Sequence, residues 1–333
     1  MASPNNKKLS ILYILQVLRD FSDESHLLSQ QNIIDKVSNL YGMQLERKSV
    51  SANIDALIDF GFDIVKSSKG CYLAERELEQ SEISFLIDAL FSSKSITAKQ
   101  SKDIANKLSK FLSKYNRKKY NYIYKADQIT RSNNKQLFYT IDILNEAIEK
   151  KKKVSFNYKR TFLDKDKIEK QENKIYTVNP YFLINNQGKY YLVCNYDYFD
   201  SITNYRVERI SNIKILDEEV KPVSKLKGIE NEFDIAKYAN ENIYMFNAEA
   251  VEATIKINDE YAISYILDWF GENTYIYKKN NEIFADIKAN KQALIYWCLQ
   301  YGENIELTTP ISVRKEIYKI ANKISSIYKF DDK

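Results

Sequence analysis

The pattern of apolar positions in the first 78 residues predicts three short helices followed by a hairpin. Apolar residues recur every three or four positions in three successive segments, which is the spacing of one helical face. Ser29 is a preferred N-cap residue, and Gly42 and Gly61 are of the type that ends a helix. Alternating residues then predict two strands around a turn. In chain order, these helices and strands span residues 9–21, 29–42, 48–61, 62–66 and 71–73.

Helical spacing gives way to alternation at Lys153. Residues 79–150 carry three apolar stripes at helical spacing and are expected to be mostly helical. After them, short alternating segments follow one another closely, and residues 185–188 form a hairpin turn signal. These segments predict a small, strongly bent antiparallel sheet or barrel. The predicted strands are residues 154–159, 176–178, 181–184, 189–194, 204–207 and 213–216.

The segment from residue 250 onward predicts a separate α+β domain. Its elements follow the order strand, helix, strand, strand, helix, strand, and a last helix closes the pattern. This is the order of the ferredoxin-like fold, a small sandwich of helices on one sheet.

Helix, helix, short turn, helix and hairpin is the element order of a winged helix-turn-helix. In that fold a helix enters the major groove of DNA, and the hairpin, or wing, reaches the neighbouring backbone. The N-terminus of the third helix and the cations beside it suit a phosphate, and cations on the wing add salt-dependent affinity. The candidate DNA contacts are Arg47, Lys48, Ser49, Ser51, Asn53, Lys66 and Lys69.

A second interpretation keeps this fold without the DNA. The same pattern fits a three-helix domain whose hairpin contacts protein, and Asp55, Asp59 and Asp63 put negative charge on or after the third helix. The basic stretch that follows is likewise open to two interpretations, a solvated helix face or an extra phosphate contact. Its cations are Lys94, Lys99, Lys102, Lys107, Lys110, Lys114, Arg117, Lys118 and Lys119.

Composition excludes several classes of site. His26 is the single histidine, so a zinc site with two or three imidazoles cannot form within one chain. The glycines are isolated, no P-loop, G-x-G-x-x-G or G-x-S-x-G motif occurs, and the three cysteines are too scattered for a disulfide framework. No apolar run approaches the length of a membrane span, and the first residues are polar. With a net charge of +5, we expect a cytoplasmic protein with an anionic partner, no cofactor and no enzymatic activity.

Several motifs occur in the order found in one known family. Tyr190-Tyr191-Leu192 is followed by Tyr205-Arg206-Val207-Glu208-Arg209-Ile210, which has two arginines three apart before an isoleucine. With residues 49–64, 154–158 and 296–314, these motifs make nearly the whole chain resemble WYL-domain transcriptional regulators. The chain departs from the family pattern at Tyr190, where tryptophan is usual, at Glu208, where aspartate is commoner, and at Ala52, where arginine or lysine often stands.

The resemblance implies a Sm-like β-barrel, the WYL domain, that binds a nucleic-acid or nucleotide effector and signals to the winged helix. It also implies that the ferredoxin-like domain is the family's C-terminal extension, called WCX. Arginines can hold phosphate and tyrosines can stack on bases. In a strand, however, residues three apart face opposite sides unless a bulge or turn intervenes, so one arginine can instead pair with a carboxylate. The candidate effector contacts are Tyr158, Tyr191, Tyr205, Arg206 and Arg209.

We therefore expect a multidomain α+β protein that acts as a homodimeric DNA-binding regulator, with repression as the default sign, on an inverted-repeat operator of double-stranded DNA. The alternative is an RNA- or single-stranded-DNA-binding accessory protein that modulates a partner effector, whose winged helix docks on protein. An enzyme, the third possibility, would need a carboxylate or lysine mechanism. The expected domains are a winged helix at 1–78, a helical linker at 79–150, the WYL barrel at 151–220, a connector at 221–248 and the WCX domain at 249–333.

Overall fold

The computed structural model describes residues 7–117, 135–164, 167–171, 174–226 and 233–329, with backbone alone between 160 and 171. The chain divides into two compact units, residues 1–135 and 136–333. The first unit contains α1 (Ser10–Phe21), α2 (Gln30–Tyr41), α3 (Arg47–Phe60), β1 (Ile64–Ser67), β2 (Gly70–Leu73), α4 (Gln80–Ser92), α5 (Ala98–Ser109) and α6 (Lys114–Arg117).

The predicted helix-turn-helix and hairpin are confirmed. Ser29 caps α2 by accepting from the N–H of Asn32, and Gly42 ends that helix in the left-handed region, with φ of 67°. The helix α3 begins at Arg47, one residue earlier than expected, because Glu46 takes the N-cap position. The apolar faces of α1, α2 and α3 meet in a single core with the inward residues of β1 and β2. Of the four residues expected on the inner face of α3, Ile58 alone is exposed.

Arg76 joins this winged helix to the helices that follow it. Its guanidinium donates to the carbonyl oxygens of Arg19 and Ser22 at the end of α1, at 2.9 and 2.7 Å. It also donates to the carbonyl oxygen of Phe111, beyond α5, at 3.2 Å. The helices α4 and α5 have a small core of their own. Lys118 and Lys119 of the basic stretch lie outside the described residues.

The second unit begins with α7 (Leu137–Glu149), which packs on a five-stranded antiparallel sheet. The order of that sheet is β8-β7-β6-β3-β9, and a 3₁₀ turn, Val207–Arg209, joins its two edge strands. A helix followed by this order fits the small barrel that the sequence predicts. The strands are β3 (Lys152–Tyr158), β6 (Ile175–Asn186), β7 (Lys189–Asn195), β8 (Thr203–Arg206) and β9 (Ile210–Glu219).

Three features of this region differ from the sequence expectation. The helix α7, grouped with the linker, packs against β3, β6 and β9 of the barrel through its buried face. Two predicted strands form the single strand β6, because a register shift between Pro180 and Phe182 accommodates the proline. A hairpin of β4 (Arg160–Asp164) and β5 (Lys167–Gln171) lies between β3 and β6 and was not predicted.

The ferredoxin-like order expected near the C-terminus is confirmed. Its sheet has the order β11-β12-β10-β13 with every neighbouring pair antiparallel, and one face packs on the helices. No helix in the described residues is long and apolar enough to cross a membrane. The elements are α8 (Ile235–Glu241), β10 (Ala250–Ile257), α9 (Ala262–Phe270), β11 (Tyr275–Lys279), β12 (Glu282–Asn290), α10 (Lys291–Gln300), β13 (Ile305–Thr309) and α11 (Ile311–Ile327).

Candidate ligand cleft and nucleic-acid interface

A cleft of about 380 Å³ opens beside the barrel, between the tip of the β6–β7 hairpin, the end of β8 and the segment that leads to the C-terminal domain. Its walls combine hydroxyl, amide and cationic groups with an apolar side. The lining residues are Tyr158, Asn186, Gln187, Lys189, Tyr191, Asn204, Arg206, Ile243, Tyr244, Met245 and Phe246.

Arg206 is fixed at the wall of this cleft. It lies opposite Tyr191 in the pairing of β7 with β8. Its Nε donates to Oε1 of Glu208 at 2.6 Å, and Nη2 contacts the same oxygen. Glu208 is almost fully buried, whereas 30% of the Arg206 side chain is exposed. Its third nitrogen, Nη1, makes no hydrogen bond within the described part of the chain, so it remains available to an anion.

Two tyrosines of the cleft are held in their neutral form. Burial raises the pKa of Tyr158, and the nearby Arg206 and Arg209 oppose this only in part. The Tyr158 hydroxyl accepts from the backbone N–H of Arg206 at 3.3 Å. Burial likewise raises the pKa of Tyr191, against the effect of Arg206. Both phenols therefore keep their protons at neutral pH and can donate hydrogen bonds.

Tyr205 lies in the core of the barrel rather than on the cleft wall. It is 8% exposed and packs edge-to-face against Phe156 and Tyr158. Its hydroxyl contacts that of Tyr196. Successive residues of a strand face opposite sides, so a position that directs Arg206 to the cleft directs Tyr205 inward.

Arg209 is exposed at the end of the 3₁₀ turn and is not among the cleft-lining residues. A turn does intervene between the two arginines, and they still reach different places: Arg206 is fixed by the buried Glu208, while Arg209 interacts with the Tyr158 hydroxyl. Of the five candidate effector contacts, the structure brings Tyr158, Tyr191 and Arg206 together around the cleft.

The candidate DNA contacts lie on α3 and the wing, most of them exposed. Arg47 and Lys48 occupy the first turn of α3, and the Arg47 Nη2 donates to Oε1 of Gln31 at the start of α2, at 3.3 Å. Asn53 is half-buried and donates to the carbonyl oxygen of Ser49 at 2.7 Å. The chain also partly exposes Ser49 and Ser51.

The two candidate cations of the wing differ in their surroundings. Lys66 forms an ion pair with Asp55 of α3. This pair neutralises part of the negative charge that the sequence places on that helix. Lys69 is exposed in the two-residue loop between β1 and β2, because Ser67 and Gly70 are paired.

Residues 139–215, from α7 into β9, match the family model of the WYL domain. This chain carries a WYL domain. Two solved structures are similar to the chain, namely "Proteasome accessory factor B/C (PafBC) of Arthrobacter aurescens" and a CRISPR Cas-related protein. The first is 15% identical with a TM-score of 0.30 and covers 96% of this chain and 49% of its own, so the chain spans about half its length. The second is 14% identical with a TM-score of 0.38 and covers 98% and 87%. No curated protein matches the chain.

Sequence reasoning missed most of the WYL cleft. Asn186, Gln187 and Lys189 surround a hairpin turn that the sequence does signal, but nothing in a turn motif shows that it borders a cleft. Asn204 is one residue from the recognised motif. Residues 243–246 come from the irregular connector, whose position depends on contacts distant in sequence, so no local pattern could have found them.

Proposed function

We propose that this chain is a DNA-binding transcription regulator whose WYL cleft binds a nucleic-acid or nucleotide effector. The observation that carries the proposal is the placement of Arg206, which a buried carboxylate fixes beside two neutral tyrosines in a cleft of about 380 Å³. A guanidinium and phenol donors suit a phosphate, and aromatic rings suit a base. The matched WYL domain supports this assignment.

The winged helix supports the DNA-binding half of the proposal. The first turn of α3 combines free helical N–H groups with two exposed cations, Arg47 and Lys48, as phosphate contacts require. We propose a homodimer, whose two recognition helices lie roughly 34–36 Å apart on an inverted repeat. We also propose that it represses in the cytoplasm, and that the effector acts by binding one dimer geometry better than the other.

Selection of bound fragments from random duplex DNA tests the DNA-binding half. The expected result is an enriched inverted repeat with half-sites about one helical turn apart. The double variant Arg47→Gln/Lys48→Gln should lose binding, whereas Lys99→Gln/Lys102→Gln, the same charge change on α5, should retain it. A folded protein that enriches no sequence and binds no duplex at low salt contradicts this half.

The effector half is tested by replacing each arginine of the WYL motif. Arg206→Gln keeps a donor for Glu208 but removes the charge, so basal operator binding should persist while the response to added oligonucleotide or nucleotide disappears. Arg209→Gln removes the same charge from an exposed position outside the cleft lining and should leave the response intact. Equal effects of the two variants would refute the assignment of the cleft.

The ion pair between Lys66 and Asp55 favours a second candidate function. It uses one wing cation within the protein, and Asp59 adds a further exposed carboxylate to α3. A winged helix with this surface could dock on protein, leaving the WYL barrel to bind RNA or single-stranded DNA. In that case Arg47→Gln/Lys48→Gln would leave duplex binding unchanged, and single strands would bind more tightly than duplex.

A further inference from the structure

The segment from Asn242 to Ala248, here called the connector, lies in two hydrophobic cores at once. Ile243 is buried in the core of the C-terminal domain. Met245, two residues on, is buried in an apolar cluster of the barrel with Ile184 and Val193. Met245 has a φ of 53°, which non-glycine residues seldom adopt. The same segment supplies one wall of the WYL cleft.

The barrel holds the connector through Asn204 at the edge of the cleft. The backbone N–H of Asn204 donates to Oδ1 of Asn247 at 2.8 Å, and its Nδ2 donates to the carbonyl oxygen of Met245 at 3.4 Å. Its Oδ1 accepts from the Tyr238 hydroxyl at 3.0 Å. All three hydrogen-bonding groups of this residue are therefore directed to the connector or to the helix before it.

The C-terminal domain holds the connector from the other side through Asn290, which is fully buried. Its Nδ2 donates to the carbonyl oxygens of Phe246 and Ala248 at 2.9 and 2.7 Å. Its Oδ1 caps α10 by accepting from the N–H groups of Gln292 and Ala293 at 3.1 and 3.2 Å. One amide thus sets both the start of α10 and the path of the connector.

We propose that the connector couples the WYL cleft to the C-terminal domain, and that Asn290 is a positioning residue for the cleft. Two residues of chain span at most about 7 Å, so Met245 cannot leave the barrel cluster without displacing Ile243 from the other core. A ligand that touches residues 243–246 therefore changes the packing of both domains. By linkage, loosening the connector from the C-terminal side weakens the ligand. The inference rests on the proposed function in taking the cleft as a ligand site.

Asn290→Asp separates the two roles of this amide. A carboxylate still caps α10, since Asp is as good an N-cap as Asn, but it has no N–H to donate to the carbonyls of Phe246 and Ala248. A fluorescent oligothymidylate should bind the full-length variant about five- to tenfold more weakly, although the residue lies outside the cleft lining. Asn280→Asp makes the same change in the exposed β11–β12 turn and should bind like the unmodified protein.

Asn247→Ala provides a second variant at an exposed position that is not expected to disturb folding. It removes the acceptor used by the N–H of Asn204 and should weaken the same probe. Because both substitutions act through one segment, the double variant should lose less affinity than the product of the two single losses. Full additivity, or unchanged affinity in Asn290→Asp, would overturn the coupling.

Hydrogen exchange keeps the test independent of the ligand. Asn290→Asp should speed exchange in the connector and also in β8, on the barrel side of it. Faster exchange confined to α10 would refute the inference. If the probe fails to bind the unmodified protein while exchange in β8 does respond, the proposed effector is wrong and the coupling stands.

Discussion

Glu208 shows how one buried carboxylate can fix a binding group. It is 9% exposed and lies two residues from Arg206, on a turn whose backbone brings the two side chains together. Its position was recognised from sequence as part of a motif, but the motif did not reveal that Glu208 serves the first arginine rather than the second. The pairing depends on the 3₁₀ turn, and the parity of a regular strand does not predict such a turn.

Glu208→Gln should lower the free energy of unfolding by about 1–2 kcal/mol. A buried ion pair broken from one side leaves an uncompensated charge, but Arg206 is partly exposed and water offsets much of that cost. Urea denaturation measures the loss. Glu219→Gln makes the same change at an exposed end of β9 and should be neutral within error. A loss equal to that of the control would mean that the pair does not stabilise the fold.

At the scale of elements, the wing and the start of α2 are packed against each other at Gly70. This residue has a φ of 144°, and a Cβ there would lie 2.5 Å from the carbonyl oxygen of Leu28 and 2.9 Å from the nitrogen of Ser29. Leu28 also pairs with Cys71 of β2. The close approach of two backbones, not the turn alone, therefore requires glycine.

Gly70→Ala should destabilise the protein by about 2–4 kcal/mol, because backbone atoms cannot move aside as a side chain would. Gly42→Ala is the matched control, since Gly42 also has positive φ but has open space around its Cα. It should cost about 1 kcal/mol. Thermal unfolding of both variants measures the difference, and equal losses would show that the contact with Leu28 and Ser29 relaxes.

The loop between α1 and α2 contains a second element-scale contact. Burial alone would raise the pKa of Asp23, but hydrogen bonds with His26 and Ser113 outweigh it, and the pKa lies below its ordinary value of 3.8. Ser113 follows α5, and the His26 ring stacks on Tyr115 of α6 at 3.6 Å. The charged carboxylate therefore helps to hold the winged helix to these helices.

Asp23→Asn should lower stability at neutral pH. Because the folded-state pKa is depressed, the contribution of the carboxylate is present above pH 3.8 and is lost as the pH falls through the lower folded value. The gap between variant and unmodified protein should therefore narrow in acid. Stability curves from pH 7 downward measure it, with the exposed Glu24→Gln as control. A gap that stays constant with pH would contradict this account.

The elements that sequence could predict are those whose pattern is local. The helices α1, α2 and α3 follow from apolar spacing and caps, and the ferredoxin-like order follows from alternating strand and helix patterns. The cleft could be predicted only on its barrel side, at Tyr158, Tyr191 and Arg206. Its other wall depends on Met245 and Ile243 reaching two separate cores, and such long-range packing has no local signature.

At the scale of the whole molecule, the salt dependence of DNA binding counts the phosphate contacts. Arg47, Lys48 and Lys69 give three cations per protomer and six in the proposed dimer. Duplex affinity should then fall by about 10³ between roughly 50 and 200 mM salt. Fluorescence anisotropy at a series of salt concentrations measures the slope, which Lys69→Gln should make shallower. A flat dependence would exclude the proposed interface.

The guanidinium of Arg76 has a consequence for how any signal travels through the first unit. By bonding to carbonyls at the end of α1 and beyond α5, it joins the winged helix and the helical pair into one stiff block. A rotation imposed on α5 would therefore be passed on to α3 as a whole-body reorientation, without local melting. Regulation would then change the spacing and angle between two intact recognition helices and leave each of them competent for a single half-site.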